Sequence, residues 1–530
     1  MKGGFSGTGP LIRLALRLDR IRLPIWVLVI AASVAGTASS YQKLYPTAAE
    51  RIRIGDGIAH NPSLLALSGP IFNPAAIGGL TAWKVLTSAV VAAALMSLFT
   101  TVRHTRAEEE AGRLELVGAA VVGRYAPLTA TLVVAVGANA AIALAVTAAL
   151  AGTGLPAGGS IAFGLAIAAG GVVFTGVAAV TAQLVESARA ATGAAAAVLG
   201  GAYLLRAVGD TGPTWLSWLS PIGWSLRLRP YAGDRWWTLA LTGALTVVLA
   251  ATAYALVGRR DLGAGLFAAR LGPAAAAPGL RSPLALAWRL HRGMLVGWLV
   301  GVIVWGAVLG AAAAGIEGLV TDDSKIVEIL ARMGGRKGII DAFLATSLSL
   351  AGLAVAGYAV QATLRLRAEE AAQRAEPVLA ARVGRIRWAA SHLVFATVGA
   401  AGLLAAGGAA TGLAYGLRVH DVGGEVPRLL GAGLVQLPAA LVLAGVATAL
   451  FGLAPRYAVA GWGALAAFGV LLELGALLRL NHWIMDVSPF THVPKLPGSA
   501  FAITPLVWLV AVAAALTCTG LAAFRRRDVG

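Results

Sequence analysis

The sequence predicts an all-α polytopic membrane protein of about twelve transmembrane helices, arranged as two parallel six-helix repeats with an interfacial helix leading into each. Three observations carry this. Only 12% of the 530 residues are charged and 58% are hydrophobic, whereas soluble domains carry roughly 25% charge; the mean hydropathy is +0.79. Apolar runs long enough to cross a hydrocarbon core of about 30 Å recur along the whole chain. Finally, the charged stretch at 106–124, RAEEEAGRLELVGAAVVGR, returns at 367–385 as RAEEAAQRAEPVLAARVGR, with 13 of 19 positions identical and no gap. A charged repeat in an otherwise apolar chain implies two copies of one unit.

Taken in order, the first element is residues 11–22. Arg13, Arg17 and Arg20 recur at helical spacing, with Leu11, Leu14, Leu18 and Ile21 opposite them. That pattern suits a helix in the membrane interface with its arginines toward anionic headgroups; a merely basic tail before the first span is the alternative. Leu286–Arg292 resembles Leu14–Arg20 and also precedes a span. The spans are read at 23–40, 79–102, 126–150, 160–182, 191–208, 236–257, 293–315, 343–363, 390–414, 428–452, 458–476 and 501–522. The first reads as an anchor that stays, since no short apolar core with a small-residue cleavage site precedes it. Spans five and eleven are rich in Gly and Ala, which would permit close helix packing.

Lysine and arginine set the orientation. With the N-terminus inside, inside segments hold 26 and outside segments 13 of the 42 basic residues, so the chain reads as N-in and C-in by the positive-inside rule. The net charge of +18 then reflects topology, and nucleic acid is not an expected partner. The halves are placed at 1–265 and 283–530, joined by a Pro/Gly/Ala-biased linker at 266–282. The duplication extends further, since Trp26 matches Trp298, Leu219-Ser220-Pro221 matches Val487-Ser488-Pro489, and Arg259-Arg260-Asp261 matches Arg526-Arg527-Asp528. Six spans per half make both halves enter from the same side, which is a parallel repeat.

Several chemistries are excluded. Gly-Lys does not occur, so no phosphate-cradling loop exists and nucleotide hydrolysis by this chain is not expected. The seven histidines are scattered without paired-ligand spacing, and a single cysteine, Cys518, leaves no disulfide framework or thiolate metal site. No Gly-x-Ser-x-Gly turn is present. No catalytic residue, cofactor or metal is therefore assigned to this chain.

The repeated charged segments, at 103–125 and 364–389, cannot lie in hydrocarbon, where each charge would cost at least about 2.5–3.5 kcal/mol. As a helix on the cytoplasmic surface, each would set Glu109 four residues before Arg113, and Glu370 before Arg374, in the favourable order. A solvated loop is the bland alternative, but it would not need the same side-chain order twice. The RAEEExGRxEL pattern with its closing Gly-Arg, the amphipathic lead-in and the six spans per half resemble type-2 ABC exporter permeases. More narrowly, they resemble the fused, double-length actinobacterial group that exports polyketide antibiotics and other drugs. The resemblance covers essentially the whole chain.

It implies that the segment after the second span of each half is a coupling helix docking on a separate ATPase subunit, most simply two copies, which would bind the ATP and Mg. By position, Arg106, Glu108, Glu109, Arg113 and Glu115 would do so in the first half. Arg367, Glu369, Glu370, Arg374 and Glu376 would do so in the second. There Gly112 is replaced by Gln373 and Leu116 by Pro377, so the second helix is expected to end earlier and to dock less symmetrically. The aromatic stretches 213–237 and 481–501 resemble the family's extracellular re-entrant helices; interface anchoring is the alternative. Arg206 and Glu473, at near-equivalent places in spans five and eleven, are a candidate intramembrane ion pair, or each snorkels to water. Apolar spans with little buried charge favour a small hydrophobic or amphiphilic substrate. The rival reading is a proton-coupled secondary drug transporter, which would normally place several carboxylates or histidines in its core.

Overall fold

In the computed structural model, which describes residues 4–59, 62–118, 122–261, 263–267, 275–319, 335–474 and 481–528, helices are the only regular elements and no strand occurs among these residues. The chain divides into two units, Met1–Gly272 and Pro273–Gly530. Among the described residues, eleven helical stretches are long and apolar enough to cross a membrane.

In the first unit, α1 (Thr8–Leu18) leads into α2 (Arg22–Leu44), the first span. Short helices α3 (Ala48–Ala59) and α4 (Pro62–Ser68) precede α5 (Ile77–His104). The charged repeat forms α6 (Arg106–Glu110) and α7 (Arg113–Gly118). Spans α8 (Ala126–Gly152), α9 (Ala157–Leu184) and α10 (Ala188–Thr211) follow. Then come two short helices, α11 (Trp215–Trp218) and α12 (Pro221–Arg227), and the last span, α13 (Thr238–Arg259). Their starts follow local chemistry: Pro127 and Pro221 stand in first turns, where no backbone partner is lost, and the Ser187 hydroxyl caps α10 by accepting from Ala190 N. The most enclosed helices are α5 and α9, which pack on each other and bury Leu86, Val90, Phe163 and Phe174 completely.

The second unit begins with α14 (Pro283–Leu319) and α15 (Gly335–Ala371). The short α16 (Ala375–Ala380) precedes α17 (Arg385–Val419). The expected tenth span is two pieces, α18 (Val422–Leu434) and α19 (Leu437–Leu453), broken just before Pro438. Of the expected span 458–476 the structure describes α20 (Ala460–Leu474), and residues 475–480 lie outside the described residues. After α21 (His482–Met485), the unit closes with α22 (Ile503–Arg526). Gly452 and Gly520 let α19 and α22 approach so closely that a Cβ on Gly452 would stand 2.0 Å from the Gly520 carbonyl oxygen. In α10, by contrast, Gly193, Gly200 and Gly201 meet nothing within the first unit.

The lead-in differs between units. In the first, α1 ends at Leu18 and a separate α2 starts at Arg22. In the second, Leu286–Arg292 are turns of the continuous 37-residue α14. Pro24 accounts for the difference, because its ring removes a hydrogen bond and clashes one turn back, whereas the matching position holds Val296.

Candidate functional site: a duplicated charged clamp

In the first unit the charged segment folds back on the end of α13. The Arg106 side chain is fully buried; its Nη1 meets Glu109 Oε2 at 2.7 Å, and its Nε and Nη2 donate to the carbonyls of Ala182 and Ala264. Arg260 closes the other side, with Nη2 at 2.5 Å and Nη1 at 2.9 Å from the two Glu109 oxygens. Its Nε donates to Gln183 Oε1 at 2.6 Å. Arg124, at the far end of the segment, donates to the carbonyls of Val257 and Arg260, which lie at the carboxyl end of α13. A cation there meets both the unpaired carbonyls and the negative end of the helix dipole.

The second unit repeats the core of the arrangement, a glutamate held between two arginines. Glu370 is held by Arg367 at 3.4 Å and by Arg527, whose Nη1 and Nη2 stand 2.6 and 2.9 Å from its oxygens. Arg385 donates to the carbonyls of Arg525 and Arg527. Arg527 also lies over the rings of Phe451 and Phe524. Several ties belong to the first unit: the bonds from Arg106 to the Ala182 and Ala264 carbonyls, that from Arg260 Nε to Gln183, and that from Ala188 N to Glu110 Oε2 at 2.8 Å, whose matching residue is Ala371.

One sequence expectation needs correction. Arg113 does not pair with Glu109; it forks onto Glu108, Nε to Oε2 at 2.7 Å and Nη2 to Oε1 at 2.9 Å. Arg374 likewise pairs with Glu369 at 3.0 Å, and Glu369 also meets Arg365 at 2.7 Å. The segment is not one continuous helix, because it turns at Gly112 and at Gln373, whose φ values are +69° and +56°. That turn shifts the partner from four residues away to five. The expected earlier end of the second helix is a comparison that falls on residues 119–121, which lie outside the described residues; Pro377 itself falls in the first turn of α16 (Ala375–Ala380), where a missing N–H costs nothing.

The segment is therefore two-sided. Arg106, Glu109, Glu369 and Glu370 are buried, and Glu108 and Arg367 are partly so. Arg113, Glu115, Arg374 and Glu376 are exposed. The hydrogen bonds that Arg113 donates to Glu108 hold its guanidinium above its ordinary pKa. Sequence reasoning singled out the repeat but missed the partners Arg260, Arg527, Arg124 and Arg385. The signal was present, since all four recur with the duplication.

At the opposite end of the first unit, Arg206 is fully buried beside Asp210, Nη1 to Oδ2 at 3.6 Å, and donates to the carbonyls of Leu65 and Leu67. Asp210 is shared with Arg227 at 3.3 Å and with the Ser217 hydroxyl, which donates to it at 2.7 Å. The cluster thus ties α10 to α4, α11 and α12. The proposed partner Glu473 has a side chain outside the described residues.

Residues 280–525 match the family "Multidrug efflux system permease Rv1217c, C-terminal domain". A relative, the multidrug efflux system permease protein Rv1217c of Mycobacterium tuberculosis, is 46% identical over 528 residues, covering 99% of this chain and 96% of the relative. The chain belongs to this family of permeases.

The permease also carries an apolar cavity of about 950 Å³ within its second unit, between α14, α15 and α20. Trp298, Trp305, Trp462 and Leu465 line it, with Gln361 as a polar member that accepts from the Trp298 indole at 2.9 Å. Its size and lining suit a drug-sized apolar ligand.

Proposed function

We propose that this permease is the membrane-spanning subunit of an ATP-driven ABC exporter, moving hydrophobic or amphiphilic compounds out of the cell across the bacterial cytoplasmic membrane. It lies N-in and C-in, and a separate ATPase subunit, in two copies, binds ATP and Mg and carries out the hydrolysis. One observation carries the reading: the same two-sided segment, buried clamp within and exposed charges without, is built twice from matching residues. A solvated loop would not need either half of that arrangement.

The division suggests how force is passed. Arg113 and Glu115, and Arg374 and Glu376, face outward and are the groups a motor subunit would touch. Glu109 and Glu370, with their arginines, fasten each segment to the carboxyl end of the sixth span of its half. A push on the exposed side moves the ends of α5 and α13 together, and likewise α15 and α22, because the clamps leave no slack between them. The tryptophan-lined cavity offers a place for an apolar substrate, in keeping with the multidrug name of the relative. Polyketide antibiotics are the specific class the family resemblance suggests.

The test is co-purification of an ATPase with the tagged permease, followed by substrate-stimulated ATP hydrolysis in liposomes. Transport by the purified chain on a proton gradient, with no ATPase present, overturns the proposal in favour of a secondary transporter.

A further inference from the structure

The arginines of the N-terminal segment take no part in the clamp, yet the segment is tied to it at both ends. At the start, Ser6 and Gly4 accept backbone hydrogen bonds from Gly123 N and Tyr125 N, each at 2.9 Å, and the Phe5 ring lies 5.6 Å from that of Tyr125. At the other end, Asp19 is buried and meets Arg103 Nη1 and His104 Nε2, each at 2.5 Å. These contacts fall just after and just before α6 and α7, so α1 spans the charged segment from one side to the other. Between them, Leu11, Leu14 and Leu18 line a small cavity shared with Glu108, Arg113 and Leu114.

Asp19 is the only acid among the first 22 residues, and it points inward. Arg13 and Arg17 are exposed on the side of α1 away from buried Ala15, and Arg20 and Arg22, exposed as well, follow just beyond its end. Exposed Leu14, Leu16, Leu18 and Ile21 flank them. The first span starts at Arg22, so this face is held at the membrane boundary. An acidic protein surface would satisfy the arginines but not the leucines. A phospholipid surface satisfies both, with phosphates on the cations and acyl chains on the apolar flank.

We propose that α1 is a binding site for anionic phospholipid headgroups, engaged by Arg13, Arg17 and Arg20, and that Asp19 passes this engagement to the charged segment. Lipid charge thereby sets how firmly α6 and α7 are held. The second unit lacks the device, because its matching residues are continuous with α14 and Asp19 is replaced by His291. The inference extends the proposed function, but the labelling and exchange results that support it need neither transport nor an ATPase, so either can fail alone.

The test uses the full chain in nanodiscs of phosphatidylcholine alone or with about a third phosphatidylglycerol. With Cys518→Ser and Leu16→Cys, labelling by a water-soluble maleimide is expected to slow several-fold in the anionic discs. Each arginine contributes about five-fold to headgroup partitioning, so the triple change of Arg13, Arg17 and Arg20 to Gln is expected to abolish the difference, and the triple change to Lys to keep it. Hydrogen exchange across 106–118 is expected to slow in anionic discs, and to become indifferent to lipid in Asp19→Asn while Leu16→Cys protection persists. Equal labelling in both lipids, or a difference that survives the Gln triple, overturns the site. Protection that appears only on adding an ATPase subunit, whatever the lipid, assigns the face to a protein instead. Lipid-dependent exchange that survives Asp19→Asn overturns the transmission.

Discussion

Arg260 grips both oxygens of Glu109 across 151 residues of chain, at 2.5 and 2.9 Å. Arg527 grips Glu370 in the same way across 157 residues. Neither carboxylate is left to water, but removing the Glu109 charge strands two buried guanidiniums, Arg106 and Arg260, whereas at Glu370 the Arg527 side chain is 18% and that of Arg367 32% exposed. Breaking one side of a buried pair typically costs about 3–5 kcal/mol. Glu109→Gln and Glu370→Gln are therefore both expected to lower the thermal unfolding midpoint of the purified permease, Glu109→Gln by the larger amount because its arginines are the more deeply buried, and to speed hydrogen exchange in 106–118 or 367–380 respectively. A double-mutant cycle of Glu109→Gln with Arg260→Gln is expected to be strongly non-additive. Additive losses would mean the two side chains do not share one interaction.

The exposed residues should behave differently. Glu115→Lys and Glu376→Lys change charge on side chains that face outward, and exposed substitutions are usually within about 0.5 kcal/mol of neutral. The expected outcome is an unchanged unfolding midpoint with weaker stimulation of the partner's ATP hydrolysis by substrate. The same change at Glu109 should damage both. Because the exposed acids recur in both halves, charge reversal at Glu115 or at Glu376 is expected to uncouple to a similar degree.

The positions that turn the segment give a third expectation. Gln373 sits at φ +56°, a region that costs a side-chain-bearing residue roughly 1 kcal/mol, and Gly112 sits at +69° at no such cost. Gln373→Gly is expected to leave the fold intact and tighten α16 against hydrogen exchange, whereas Gly112→Ala should loosen α7. A Gly112→Ala variant as protected as the parent would remove the argument for strain.

These residues also mark how far the sequence could be read. Hydropathy placed the spans and the repeat located the segment, because both are periodic signals carried by many residues at once. Pairing within the segment was not legible, since it depends on one left-handed residue, and Gln373 gives no sign of that in its identity. Arg260 and Arg527 were visible as a repeated Arg-Arg-Asp, but not as partners, because contact across some 150 residues is set by how α5, α9 and α13 pack. The lead-in of the second half was read as a copy of the first, and the single exchange of Pro24 for Val296 makes it a different element. Asp210 went unremarked beside Arg206, although four residues is one helical turn.

That last pair yields the sharpest contrast. Asp210 has no solvent exposure and stands between Arg206 and Arg227, with Ser217 donating to it. Asp210→Asn leaves two buried arginines facing an amide, an expected loss of about 3–5 kcal/mol. Arg206→Met leaves Asp210 with Arg227 and Ser217 still in place, so it should cost clearly less. Glu473→Gln should cost little if Asp210 already meets the Arg206 charge. Thermal unfolding of the three variants separates the readings: a loss in Glu473→Gln equal to that in Asp210→Asn, with coupling to Arg206→Met, would transfer the main partnership of Arg206 to Glu473.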